Sequence, residues 1–298
     1  MKGLANLIEN NIPIFQNQYA TIIGLNPSKG ARSPLLWNAA FDEFGVSMKM
    51  YPLDVERKNV EKIIKLLEKD QLFRGSAVAA PYKIVLAEAL KSNLTPQAKS
   101  IGAINCIYRD QEGKLKGTNT DGEAALKCII NKIGSINNKN IMILGSGGVA
   151  KAVCGYISFN LSQKSNLYLV SRSENINKTQ KEQLRITELL SFNNFQDYLG
   201  KTDILINCTT VGWNDQINES PINSKELSLL TKDAFVYDVI YQPIKTKLLN
   251  LAAQQNIKVE NGLEMNLEQA ILAFKYVMPE LIKSEKENIR LTKAMKNA

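Results

Sequence analysis

The sequence predicts an α/β fold of two domains. Short apolar runs of strand length alternate with longer amphipathic segments, the pattern of sheets covered on both faces. The alternation stops at a helical segment over 122–133 and then starts again. In the second series a strand leads through a glycine-rich turn straight into a helix, at Gly145-Ser146-Gly147-Gly148. The first domain therefore reads as residues 1–122 joined by returning C-terminal helices over 265–298, and the second as residues 123–264.

In chain order, residues 1–18 read as a short helix and Ala20 to Gly24 as a buried strand. Ser33-Pro34 opens a helix to Phe44, with Ser33 as its cap and proline in the first position. Met48 to Leu53 is a strand, Val60 to Leu72 a helix, Gly75 to Val78 a short strand and Tyr82 to Leu90 a helix. Asn105 to Arg109 and Lys114 to Gly117 bracket a hairpin turn in which Gly113 supplies a positive φ. Beyond the 122–133 helix, strands are expected at Asn140 to Leu144, Asn166 to Val170, Asp203 to Asn207, Ala234 to Asp238 and Lys258 to Glu260. Helices are expected at Val149 to Asn160, Thr179 to Leu190 and Thr246 to Gln254, and the chain closes with helices over Met265 to Tyr276 and Glu280 to Lys296.

An apolar content of 44% suits a soluble globular protein, and no run approaches the ~20 apolar residues that cross a bilayer. Glu9 interrupts the only apolar run near the start, which makes a poor signal peptide. Cys106, Cys128, Cys154 and Cys208 have no paired spacing and read as reduced thiols of a cytoplasmic protein. The chain has no histidine, which removes His triads, His metal sites and His bases; no metal is expected. Proton transfer then falls to Lys, Asp, Glu, Tyr, Cys or water. The net charge of +8 is dispersed among carboxylates along helices, so it reads as solvated helix faces rather than a nucleic-acid patch. The expected partner is a small anionic molecule, with neither nucleic acid nor membrane involved, acting on a monomer or homodimer.

Gly145, Gly147 and Gly148, with Val149 and Ala150, form a turn whose small residues let a pyrophosphate approach the backbone and a helix N-terminus. That context predicts a Rossmann-type dinucleotide-binding domain. The next strand ends at Ser171-Arg172-Ser173, where a chain choosing NAD usually carries an acid. A guanidinium there suits a 2′-phosphate, which favours NADP over NAD. In the first domain, Lys83 follows Pro81 and a run of small residues, Gly75 to Ala80, that leaves room for a ligand. Asp121 lies in the polar turn Gly117-Thr118-Asn119-Thr120-Asp121-Gly122. A Lys–Asp pair can share a substrate hydroxyl proton during hydride transfer, although spacing alone leaves Lys83 an ordinary surface lysine.

From about Ala20 to Tyr276 the chain resembles the shikimate dehydrogenase family. Ser33-Pro34-Leu35-Leu36-Trp37-Asn38 is similar to the family's Ser-Pro-x-x-His-Asn, and Val78-Ala79-Ala80-Pro81-Tyr82-Lys83 to Val-Thr-x-Pro-x-Lys. Gly102-Ala103-Ile104-Asn105, Gly117 to Gly122, Asn207 to Gly212, Tyr241-Gln242-Pro243 and Gly262-Leu263-Glu264-Met265 follow in the family's order. The resemblance implies an N-terminal α/β substrate domain, an NADP domain, and hydride transfer at a ring alcohol of a small hydroxylated cyclic carboxylate such as shikimate. It implies that Lys83 and Asp121 are catalytic. Asn105 and Gln269 then bind substrate hydroxyls, and Tyr241 and Ser33 serve the carboxylate. Gly145, Gly147, Gly148, Arg172, Thr209, Gly262 and Met265 serve the cofactor.

The departures lie on the substrate side. Ala31, Ala77 and Ala79 replace hydrogen-bonding residues, and Trp37 replaces the usual His. A hydrogen bond to a charged ligand is worth ~1.5–3 kcal/mol, so these losses point toward an altered substrate, of the quinate or aminoshikimate type. Ser28, Lys29 and Arg32 are candidates to grip a carboxylate instead. A non-catalytic cofactor-binding module is the alternative of a different class.

Overall fold

The computed structural model describes residues 2–13, 17–172 and 178–298. The chain divides into two units: residues 1–120 with 267–298, and residues 121–266.

The first unit begins with α1 (Lys2–Ala5) and β1 (Tyr19–Gly24), then α2 (Ser33–Glu43), β2 (Lys49–Asp54), α3 (Val60–Lys69), β3 (Phe73–Val78) and α4 (Lys83–Ala89). α5 (Pro96–Ile101) precedes the hairpin β4 (Cys106–Arg109) and β5 (Leu115–Thr118). The sheet order is β2-β1-β3-β4-β5. β1 is parallel to β2 and to β3, whereas β4 is antiparallel to β3 and to β5. Gly113 has φ 77, as the hairpin turn requires. The central strand β1 is buried at every position, which is what a strand covered on both faces demands.

The second unit runs α6 (Asp121–Ile133), β6 (Ile141–Leu144), α7 (Gly148–Asn160), β7 (Leu167–Ser171), α8 (Lys178–Gln183), β8 (Glu188–Ser191), β9 (Ile204–Asn207), α9 (Ser224–Leu227), β10 (Phe235–Asp238), α10 (Lys247–Gln254) and β11 (Lys258–Glu260). Its sheet is wholly parallel, in the order β11-β10-β9-β6-β7-β8. The strand order reverses between β6 and β9, the arrangement of a doubly wound dinucleotide fold. α11 (Leu263–Val277) leads from this unit back into the first, which α12 (Glu285–Lys296) completes by packing on α2.

Three expectations need correction. Residues 179–190 are not one helix. Arg185, at φ 47, ends α8 with Ile186 N–H donating to the Lys181 carbonyl at 3.0 Å, and the chain then forms β8. Residues 280–296 are not one helix either. Pro279 heads a single 3₁₀ turn, and Ser284 starts α12 afresh through a capping box with Glu287. Ser33 is the first helical residue rather than the cap; Arg32 holds the cap position, with no capping bond from its side chain to the helix. α5 and α9, both short, were not foreseen.

Candidate active site

In the first unit the expected site residues collect where β1 and β3 end, the edge at which ligands enter open α/β sheets. Lys83 opens α4, and its carbonyl accepts Ile104 N–H at 2.9 Å, which brings the next residue, Asn105, to the same corner. Asn105 is buried. Its amide nitrogen donates to Thr120 Oγ1 at 2.9 Å and to Gln269 Oε1 at 3.2 Å, and its oxygen accepts Thr120 N–H at 2.8 Å. Thr120 Oγ1 also donates to the Gln269 carbonyl at 2.9 Å. Asn105 and Gln269 are thus brought together, with Thr120 as the link between them. Asn119 donates to the Ala103 carbonyl at 3.1 Å, so both residues before Asp121 are pinned by buried bonds.

Ser33 is buried at the start of α2. Ser28 is engaged otherwise than expected: its N–H donates to Asp54 Oδ1 at 2.9 Å and its hydroxyl to Asp54 Oδ2. These bonds tie the Ser28 loop to β2, and a ligand carboxylate at Ser28 would meet that acid at close range. Lys29 is exposed. Ala77 and Trp37 belong to one buried apolar cluster, with Ala31 and Ala79 packed against it. Trp37 lies edge-on to Phe274 at 5.5 Å, and its indole N–H finds no acceptor among the described residues.

In the second unit, Asp121 opens α6 and is 4% exposed. Gly122 lies against α7, where a Cβ would stand 2.7 Å from the Ala152 carbonyl carbon. Gly145 has φ 107, and a Cβ there would come within 3.2 Å of Cys208 and Thr209, so this turn has to be glycine. A Cβ on Gly147 would meet nothing within 4 Å, which leaves open space beside the N-terminus of the 13-residue α7. Val149 is half-buried and Ala150 buried behind the turn. Ser171 Oγ donates to Ser146 Oγ at 2.7 Å, joining the end of β7 to the glycine turn. Arg172 is exposed just beyond β7, and Ser173 lies outside the described residues. Thr209 follows β9, Tyr241 follows β10, and Gly262 and Met265 follow β11. Gly262 abuts the Val239 backbone. Open space, backbone donors at a helix start and a cation at the next strand end together fit a dinucleotide carrying a 2′-phosphate.

Sequence reasoning missed Thr120, Asp54, Asn207 and Asp238. The last two carried a usable signal, since each is a polar residue ending an otherwise apolar strand.

Residues 22–107 match the model of the shikimate dehydrogenase substrate binding domain. Shikimate dehydrogenase (NADP(+)) of Methanocaldococcus jannaschii is 34% identical over 267 residues, covering 87% of this chain and 92% of that protein. Its counterpart in Methanococcus maripaludis strain S2 is 31% identical over 264 residues, covering 87% and 92%. Among solved structures, a shikimate dehydrogenase in complex with NADP+ superposes with TM-score 0.79 at 28% identity, covering 97% of this chain and 98% of that one.

Proposed function

Because the chain belongs to the shikimate dehydrogenase family, we propose that it is an NADP-dependent dehydrogenase acting on a ring alcohol of a small hydroxylated cyclic carboxylate. The observation that carries this reading is the coincidence of that kinship with the glycine turn at α7 and the exposed Arg172 after β7. In the proposal, residues 121–266 hold NADP and the other unit holds substrate. When bound there, NADP would supply the hydride acceptor for the carbinol carbon. Gly145, Gly147, Gly148, Val149 and Ala150 leave room for the pyrophosphate, while Ser171 and Arg172 receive the 2′-phosphate. Thr209, Gly262 and Met265 line the remaining length.

Lys83 and Asp121 would share the single proton that leaves the substrate hydroxyl. The Asn105 and Gln269 amides, already bonded to each other, orient the neighbouring ring hydroxyls. Ser33, Arg32 and Tyr241 serve the carboxylate. Because Ala77, Ala79 and Ala31 stand where the family has hydrogen-bonding residues, a second reading is a substrate other than shikimate itself, of the quinate or aminoshikimate type. The reading needs no macromolecular partner, and four cysteines without a disulfide suit a cytoplasmic enzyme. No helix among the described residues is long and apolar enough to cross a membrane.

The test is NADPH formation from shikimate, quinate and aminoshikimate at alkaline pH, with Lys83→Ala beside wild type. Turnover by wild type and its collapse by about 10²–10⁴-fold in Lys83→Ala are expected. NADP binding with no turnover on any of the three would favour the non-catalytic module.

A further inference from the structure

Beneath the loops of the second unit lies a buried polar pair to which the proposed reaction assigns no role. β9 and β10 are apolar strands that each end on a polar residue, Asn207 and Asp238, and these two stand opposite each other in register. Asn207, Asp238 and Thr246 are wholly buried. Asp238 Oδ1 accepts from Asn207 Nδ2 at 3.0 Å and from Ile240 N–H at 3.1 Å, while Oδ2 accepts from Thr246 Oγ1 at 2.7 Å. Thr246 in turn caps α10 by accepting Leu249 N–H at 3.3 Å. On the other side, Asn207 Oδ1 accepts from Thr209 N–H at 3.0 Å and from Thr209 Oγ1 at 2.7 Å, and its nitrogen donates to the Val211 carbonyl at 3.3 Å. One run of bonds thus extends from α10 to Thr209.

A buried carboxylate is expensive when no cation stands beside it. Asp238 has no ion-pair partner among the described residues, and burial pushes it up to about 6. The titratable groups on the surrounding elements include Cys208 beyond β9 and Tyr237 on β10, both held protonated by burial; Lys258, exposed, and Glu260, paired with Lys132 at 2.5 Å, on β11; and Lys247, exposed at the start of α10. Joining β9 to β10 does not require an acid, because backbone bonds already do so. The acid joins the loop after β9, which carries Thr209, to the loop after β10, which carries Tyr241.

We propose that Asp238, acting through Asn207, is the positioning residue of the cofactor site, holding these two loops in one mutual arrangement from beneath. This rests on the NADP reading above. The experiment compares Asp238→Ala and Asp238→Asn with wild type in two ways: the dissociation constant for NADP, and the emission of Trp213 without cofactor. Trp213 sits on the loop after β9 and is exposed, whereas Trp37, the only other tryptophan, is wholly buried. Subtracting the Trp213→Phe spectrum therefore isolates the loop.

Asp238→Ala is expected to weaken NADP binding about tenfold or more and to shift Trp213 emission. Asp238→Asn keeps an acceptor for Asn207 and Ile240 and offers Thr246 a donor in exchange, so it is expected to restore both readouts. A merely structural role would lower the melting temperature and leave both unchanged in the folded protein. Wild-type affinity and emission in folded Asp238→Ala overturn the proposal. So does an Asp238→Asn protein as impaired as Asp238→Ala, which would assign the effect to charge. Should Asp238→Ala fail to fold, Thr246→Val, which removes the Oδ2 donor together with the α10 cap, must shift the emission, and no shift overturns the proposal. Failure of wild type to bind NADP would sink the cofactor reading, while the emission comparison still judges the joining of the loops.

Discussion

Replacing Gly122 by alanine isolates the packing that places Asp121. In a helix the exchange alone gains up to ~1 kcal/mol from propensity. Here the new methyl would stand 2.5 Å from Tyr156 Cδ2 and 2.7 Å from the Ala152 carbonyl carbon, and closer still to that carbonyl's oxygen. Carbon atoms rest about 3.5–4.0 Å apart, and the α7 backbone cannot yield as a side-chain tip can. α6 must therefore retreat from α7 by about 1 Å. Overpacking of this kind costs about 1–3 kcal/mol, and the rigid neighbour puts Gly122→Ala near the upper end, for a net loss of about 2 kcal/mol after the propensity gain. Asp121 moves with its helix relative to the glycine turn that opens α7, and a 1 Å misplacement costs about 100-fold in rate. The assays are the urea midpoint by circular dichroism and kcat on the best substrate of the panel. A Gly122→Ala enzyme with wild-type midpoint and wild-type kcat would refute the reasoning. Lost stability with unchanged kcat would detach Asp121 from the chemistry.

Arg172→Ala is expected to weaken NADP binding by about 10–100-fold, from a lost charged contact of ~1.5–3 kcal/mol, with NAD binding unchanged; paired titrations decide it. Trp37→Phe leaves a void but removes a buried N–H that has no acceptor among the described residues, so its cost is expected below about 1.5 kcal/mol by urea unfolding. Phe274→Ala in the same cluster is expected to lose about 3–5 kcal/mol. Asp238 gives a pH dependence of definite sign. Burial raises its carboxyl from 3.8 to about 6, so the folded chain holds this proton more tightly than the unfolded chain does. The linked stability is full below about pH 4 and is lost as pH rises through about 6, a change of about 3 kcal/mol. Urea midpoints between pH 4 and 7 should carry this slope in wild type but not in Asp238→Asn.

The sequence made the parallel architecture legible because strands buried on both faces are apolar throughout, as Ile141 to Leu144 is. The glycine turn was legible because Gly145 occupies a φ that other residues avoid. β8 was not, because its Glu188 and Ser191 lack an apolar signature and the residue that ends α8 is an arginine in the left-handed region. The start of α12 was written in the Ser284–Glu287 spacing but hidden in a continuous charged pattern. Asp238 stayed obscure because its partners lie 31 and 8 residues away, so only the folded register brings them together. The bond from Ser28 stayed obscure for the same reason, since its acceptor, Asp54, is 26 residues distant.

The first unit is discontinuous, residues 1–120 being completed by 267–298. Phe274 packs on Trp37 and Phe41, and α12 packs on α2, so the core of the opening segment lacks one wall until the closing segment exists. On a ribosome the intervening residues emerge whole before that wall does. The second unit can therefore finish folding while the first still waits with apolar surface uncovered, which makes the interval before residue 267 appears the time when a nascent chain most needs a chaperone.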